Sequence, residues 1–333
     1  MKNFIKISVT FLTIFVIFPI TLLAKEQDVL LSAVTAFMSV VQDQAKLDLK
    51  INNEQVLKRQ LEATQDRFRV GEITRTDVSQ AEARVAGAAA DRIQFEGNLN
   101  NSRANYLKVM GEEPGKLTVP SALIVSPTSL AGAIKAAVAD HPDIISQRYL
   151  EESARINIKS VRGELLPTVN LTGKLSRAWE ASSNADQKTT GLMKFSLSIP
   201  LYQKGSVYSR LRAAKQDARQ SLQKLEETRR NVSEGAAKAW ESVQTAKARI
   251  KSFSAQIKAA KIALEGVQRE AAVGSRTVLD VLDAEQELLD AKISLVGANR
   301  EQVVASFQLQ EAIGQLTAKN LELPVKTYSP TQN

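Results

Sequence analysis

Apolar residues recur every seven positions through much of the C-terminal half of the chain. They stand at Leu211, Ala218, Leu225, Val232, Ala239, Ala246, Phe253, Ala260 and Val267. A companion series at Leu222, Ala236, Val243, Ile250, Ile257 and Leu264 runs four residues behind it, interrupted at Arg229. Successive heptads of this kind predict a coiled-coil seam. A helix from about Lys204 to Val273 would be roughly 100 Å long at its 1.5 Å rise per residue, far more than a globular domain needs. Ahead of it the period changes to two. Val169, Leu171, Gly173 and Leu175 alternate with Asn170, Thr172, Lys174 and Ser176, and Met193, Phe195, Leu197 and Ile199 alternate with Lys194, Ser196 and Ser198. Each run has the length of a transmembrane β-strand. A half-buried soluble hairpin has equal local support. Position favours the membrane reading: a hairpin flanked by very long helices has no sheet partner in one chain, and two strands alone are marginal. They must pair with other copies, and a closed barrel is the arrangement that leaves no edge in lipid.

An internal repeat organises the rest. VGEITRTDVSQAEARVAG from Val70 recurs as VGSRTVLDVLDAEQELLD from Val273, an offset of 203 residues that matches Gly71 to Gly274, Thr74 to Thr277, Asp77 to Asp280 and Glu82 to Glu285. The offset holds without gaps to Gly111 and Gly314, and upstream it pairs Ala36-Phe37 with Ala239-Trp240. Two copies of one helical hairpin follow, each reversing at a glycine. Thr74 with Asp77 and Thr277 with Asp280 have the spacing of a capping box, which by itself accounts for both aspartates. Asp283, on the same face as Asp280 and one turn further, is not accounted for by capping.

Between the hairpins lie a linker, GEEPGKLTVPSALIVSP, a short amphipathic helix beginning near Ser129, and a further helix that follows His141-Pro142 and ends by Pro167. Residues 177–191 form a polar connection between the strands. At the N-terminus, Lys2 and Lys6 precede an uncharged apolar run from Ile7 to Leu23, with Ala24 at a small-residue cleavage point, the layout of a secretory signal peptide; an uncleaved anchor is the alternative. The expected organisation is a signal peptide at 1–24, a first hairpin at 25–117, linker and short helices at 118–166, the strand pair at 167–202, a second hairpin at 203–323 and a tail at 324–333.

Composition agrees. Fifteen glycines, nine prolines and 5% aromatics in 333 residues describe a chain of long helices with little punctuation. There is no cysteine, hence no disulfide, thiol metal site or lipid-bearing cysteine. The net charge of +8 is spread along helical faces among Glu and Asp, with no dense basic block for nucleic acid. His141 is the only histidine and sits at a helix boundary; no phosphate loop, metal cluster or nucleophile motif is present, and Glu151-Glu152 and Glu226-Glu227 read as solvated helix charges. Neither an enzyme nor a cofactor is expected.

RFRVGEITRTDVSQAEARV, AVGSRTVLDVLDAEQELLDA, the strand exit FSLSIPLYQKGSVYSRLRAAK and the tail LELPVKTYSP closely resemble the TolC family of outer-membrane efflux and secretion channels, over nearly everything from Leu30 to Pro330. The first tip, ITRTDVSQAEAR, looks more like the branch serving type I protein secretion. The resemblance implies a mainly α protein: long antiparallel coiled-coil hairpins in two repeats forming a periplasmic α-barrel, and a small transmembrane β-hairpin contributing to a trimeric β-barrel. It implies a homotrimer in outer-membrane lipid, a periplasmic adaptor, and an inner-membrane ABC or proton-driven transporter. Carried over by motif, Arg276 would tie to Thr76 and Asp77, and Asp280 and Asp283 would be the carboxylates that ring the entrance. Val70, Gly71, Val273, Gly274, Ser275 and Thr277 would be the tips where the adaptor docks. Ala271 stands where the best-known member has a tyrosine, which removes one part of the closing network.

The repeat also exposes a departure. Subtracting 203 from Pro167 or Pro200 gives positions before residue 1, so the first repeat is expected to lack its short helix, both strands and the upper part of its long helix. Family protomers contribute four strands; this chain shows two. A start site placed too late, an internal deletion giving a degraded or non-conducting protein, and assembly with a complete homologue each account for this. The alternative to a conduit is a periplasmic coiled-coil scaffold without a pore.

Overall fold

In a computed structural model the described residues are 2–118, 120, 127–178 and 188–323, with side chains from Lys25 onward except at 178 and 188. The elements run α1 (Lys2–Arg69), α2 (Arg75–Met110), α3 (Leu130–Asp140), α4 (Pro142–Gly163), β1 (Thr168–Ala178), β2 (Lys188–Ser198), α5 (Ser206–Ala272) and α6 (Val278–Ala312). The segment read as a secretory signal is helical as the start of α1, and its side chains lie outside the described residues, as does the tail at 324–333. The linker is described except at 119 and 121–126, and the strand connection except at 179–187. Two compact units divide the chain: residues 1–18 with 143–229, and residues 19–142 with 230–333.

The first unit holds α4, which opens on Pro142, a residue suited to a first helical turn because no intrahelical partner awaits its missing N–H. It also holds the antiparallel β1–β2 pair and the opening turns of α5, where Arg210 makes an ion pair with Glu164. The strand register puts Val169 opposite Leu197, Leu171 opposite Phe195 and Gly173 opposite Met193, so both strands place their apolar sets on one face. On the other face Asn170 meets Ser196 and Thr172 meets Lys194, with Leu192 the apolar exception opposite Lys174.

The main seven-residue series of α5 lies inward as expected, but its companion series departs from the expected one in the upper part of the helix. Leu222 is 44% exposed. The main series holds there, with Leu225 and Val232 buried and Leu211 and Ala218 half-buried, while its companion runs through Val207, Ala214, Ser221 and Thr228 until the chain steps by four twice, from Thr228 through Val232 to Ala236, and the expected companion series resumes at Val243. Two four-residue steps in succession are a stutter, which relieves the drift of a straight helix against a seven-residue repeat. Arg229 therefore marks a change of register, not a polar intrusion into one continuous stripe.

The second unit contains both hairpins. In the first, α1 and α2 bury Val40, Leu47, Leu99 and Tyr106 against Phe37, Phe95 and Leu117. The second closes on Ala260, Leu264 and Leu288 with Ile257 and Ala284, flanked by the Arg249–Glu301 ion pair. The seams differ in one respect that the repeat makes plain. Where α5 carries Phe253 and Ile257, α1 carries Lys50 and Glu54, both buried. Lys50 donates to Asp91 at 2.6 Å and lies 5.3 Å from the centre of the Phe95 ring; Glu54 accepts from Arg92 and pairs with Lys58, each at 2.7 Å. Buried charge survives only when paired, and α2 supplies the partners at Asp91 and Arg92, where α6 has Ser294 and Leu295.

Candidate functional site: the hairpin tips

Both tips are built alike. Helix α1 ends in a Schellman motif: the Glu72 N–H donates to the Arg67 carbonyl and the Gly71 N–H to the Phe68 carbonyl, with Gly71 at φ +79°. At the second tip Ser275 donates to Glu270 and Gly274 to Ala271, with Gly274 also at φ +79°. These interactions satisfy carbonyls left open by the helix ends, and the left-handed residue is glycine because a Cβ there would be strained. Val70 and Val273 project into solvent at the two turns. Ser275 and Thr76 are exposed, and Thr277 is the N-cap of α6.

The expected capping boxes are present at both. The Asp77 carboxylate accepts from the Thr74 N–H at 2.9 Å and its hydroxyl at 2.8 Å, while the Thr74 oxygen accepts from the Asp77 N–H. Asp280 and Thr277 repeat the arrangement, both bonds to the carboxylate at 2.8 Å. Donation from the Thr277 backbone and hydroxyl, with Arg276 adding a smaller attraction, holds the Asp280 carboxyl below its ordinary range. At the first tip, Arg67 at 2.6 Å does the same for Glu72.

Within this one chain, Arg276 is not what joins the hairpins. The Arg276 guanidinium donates to Glu270 of its own turn at 2.9 Å, and Asp77 is taken up by Thr74. Instead Arg84 of α2 donates to Asp283 of α6 at 2.6 Å. Beneath this pair, Leu57 and Ala88 of the first hairpin bury Val278 and Leu282 of the second, with Val85 at the edge. Asp283, which capping left unexplained, is thus the acidic half of an inter-hairpin ion pair. Arg84 belongs to no shared motif, because its place in the second repeat is held by Glu287, and so the repeat does not point to it. That reversal of charge between equivalent positions was the available signal. Higher up, the hairpins meet again where Met38 packs on Val303 and Val304, and where Arg300 donates to Ser39 at 3.2 Å.

Residues 21–112 and 133–315 match the outer membrane efflux protein family. The chain belongs to that family. It is 35% identical over 309 residues to the outer membrane efflux protein BepC of Brucella suis biovar 1 (strain 1330), covering 92% of this chain and 68% of that protein. It is 28% identical to the outer membrane protein TolC of Vibrio cholerae serotype O1, covering 90% and 70%. Among solved structures, the outer-membrane channel OprN superposes with a TM-score of 0.76 at 23% identity, over 89% of this chain and 68% of that one. The chain thus spans about two thirds of the length of its relatives. As a member of the outer membrane efflux protein family it is placed in the outer membrane in the role of an export channel, and the periplasmic scaffold without a pore is not favoured. The relatives are channel proteins, not enzymes. Among the described residues no helix is long and apolar enough to cross a membrane, which says nothing of a β-barrel.

Proposed function

We propose that the chain is one protomer of a homotrimeric, passive, periplasm-spanning conduit. An inner-membrane ABC or proton-driven transporter supplies energy, and a periplasmic adaptor engages the tips at Val70-Gly71 and Val273-Gly274-Ser275. The type I secretion branch is favoured by the wording of the first tip. The observation that carries this reading is the Arg84–Asp283 pair: a polar link between two rigid hairpins, close to their tips and open to solvent on both sides, is a joint that a partner can break without unfolding either hairpin. Its exposure keeps its strength small, as suits a latch. Asp280 lies one turn away, and copies of both acids around an axis concentrate negative potential at the entrance.

The test is planar-bilayer recording with a multivalent cation added on the tip side. Asp280→Asn with Asp283→Asn is expected to raise conductance or abolish the cation block. Arg84→Ala, which unmasks Asp283, is expected to deepen the block. Recordings unchanged in both variants would remove these residues from the entrance.

A further inference from the structure

On the fold, the chain's net charge of +8 is not spread evenly along helical faces. Residues 153–166 and 199–216, which lead into β1 and out of β2, hold seven basic residues against Glu164 alone. Acids return further from the strands, at Glu151-Glu152 on α4 and at Asp217, Glu226 and Glu227 on α5. Thr168 pairs with Ser198, so both strands finish at one level, and the ion pair of Arg210 with Glu164 holds the end of α4 beside the first turns of α5 there. The surplus cations thus form a collar at the root of the strand pair. Five of them, Lys159, Arg162, Lys204, Arg212 and Lys215, are exposed and make no ion pair among the described residues. Lys204 also holds a left-handed backbone at φ +49°, which asparagine or glycine adopts more readily. An apolar edge adjoins the collar. The exposed stripe of Met193, Phe195 and Leu197 continues past the strand through Ile199 to Leu201, which is 92% exposed, and Tyr202 follows at 83%. On α5 the exposed Tyr208 shares a helix face with Arg212 and Lys215, four and seven residues on.

We propose that this collar binds the anionic phospholipid headgroups of the leaflet that faces the helices, so that the chain gathers acidic lipid around itself and is fixed in depth by it. The inference rests on the outer-membrane reading of β1–β2. Apolar residues, then tyrosines, then cations is the order met on leaving a bilayer, because tyrosine rings settle at headgroup depth and long basic side chains reach the phosphates beyond them. At 1.5 Å per residue Lys159 lies about 6 Å from the end of α4 and Lys215 about 14 Å along α5, comparable with a Debye length of about 10 Å. Arg162 and Arg212 suit two oxygens of one phosphate, whereas the lysines act as point charges. Each cation near an anionic surface strengthens binding about fivefold, and the gain falls as salt is added.

Full-length protein in nanodiscs of phosphatidylglycerol and phosphatidylcholine with matched acyl chains, its retained lipid identified by native mass spectrometry, reads this selection directly. The wild type should retain phosphatidylglycerol beyond its share, less so at high salt. Inorganic phosphate in place of chloride at equal ionic strength should leave that excess unchanged; displacement by it would mean a free-phosphate site and overturn the lipid assignment. Lys204→Asn with Arg212→Gln and Lys215→Gln, in which asparagine suits the left-handed backbone, should lower phosphatidylglycerol binding about tenfold or more. Arg212→Lys with Lys215→Arg, which keep the charge, should retain it, as should Lys258→Gln with Lys261→Gln, exposed on α5 far from the strands. Equal loss in the near and far variants, or no excess in the wild type, overturns the collar while protein recovered in urea-resistant membranes keeps the outer-membrane reading. Wild-type protein absent from the membrane fraction overturns both. A triple variant that keeps its lipid excess but shifts the reversal potential in a salt gradient towards cations would put these side chains in the lumen and overturn the proposal.

Discussion

Gly111 and Gly314 are repeat partners, and both adopt left-handed backbone at the end of a helix, at φ +81° and +74°. Their surroundings separate them. A Cβ at Gly111 would meet nothing within 4 Å, whereas at Gly314 it would lie 3.0 Å from the His141 Cα, 3.1 Å from the Asp140 carbonyl oxygen and 3.2 Å from the Pro142 Cδ. Gly314 is thus the point where the end of α6 seats against the α3–α4 junction. Alanine at Gly111 should cost about 1–2 kcal/mol, the left-handed penalty alone. Gly314→Ala should cost clearly more, because backbone and a rigid ring stand in the way, and chemical denaturation of the two variants side by side would show it. Equal losses would mean that the junction yields. The sequence made both glycines legible as hairpin ends through the repeat, but not this difference. Crowding at Gly314 comes from residues more than 170 positions away, beyond the reach of any local pattern.

At the scale of elements, the two hairpins share a plan and differ in their seams. The heptads of α5 read directly from its apolar residues, while the corresponding stretch of α1 reads poorly because Lys50 and Glu54 occupy seam positions. Paired burial, and not hydrophobicity, keeps them there, and only the structure brings Asp91 and Arg92 to them. The pairing has a consequence for pH. Hydrogen bonding from Lys58 is the largest influence holding the Glu54 carboxyl below the ordinary glutamate value of 4.5, opposed by burial and aided by Arg92. The folded state therefore favours ionised Glu54, so this contribution is complete above the ordinary value and is lost as pH falls through the depressed one. In the second hairpin burial raises the Glu285 carboxyl, so its contribution has the opposite sign and declines as pH rises through the raised value. Acidification should loosen α1–α2 and spare α5–α6. Amide hydrogen exchange across pH, corrected for intrinsic rates, is expected to show protection at residues 47–57 falling before that at 250–264; parallel loss in both would remove Glu54 from the account.

For the whole molecule, the β1–β2 hairpin states what the chain needs from outside itself. Leu171, Leu175, Met193 and Phe195 lie on one face and are 66–81% exposed, while the strands pair only with each other among the described residues. Such a face is stable in hydrocarbon if the free edges are paired by other copies. Phe195→Arg, a charge on that face, should cost about 2–4 kcal/mol if the position lies near the bilayer midplane, and should shift the protein from the urea-resistant membrane fraction to the soluble one. Lys194→Arg, on the opposite face, should leave fractionation unchanged. Equal recovery of both variants in the membrane would show that the apolar face does not contact lipid.

Periodicity and repetition, which live in the order of residues, determined the helices, the strand pair, the two tips and their caps, because each depends on neighbours within a few positions or on one fixed offset. Tertiary structure alone decided which charges meet. Arg276 turned to Glu270 within its own loop, Arg84 reached Asp283 across nearly two hundred residues, and Lys50 found Asp91 on the facing helix. The physical reason is that long charged side chains have many acceptors within reach along a helix face, and the packing of one hairpin on the other selects among them.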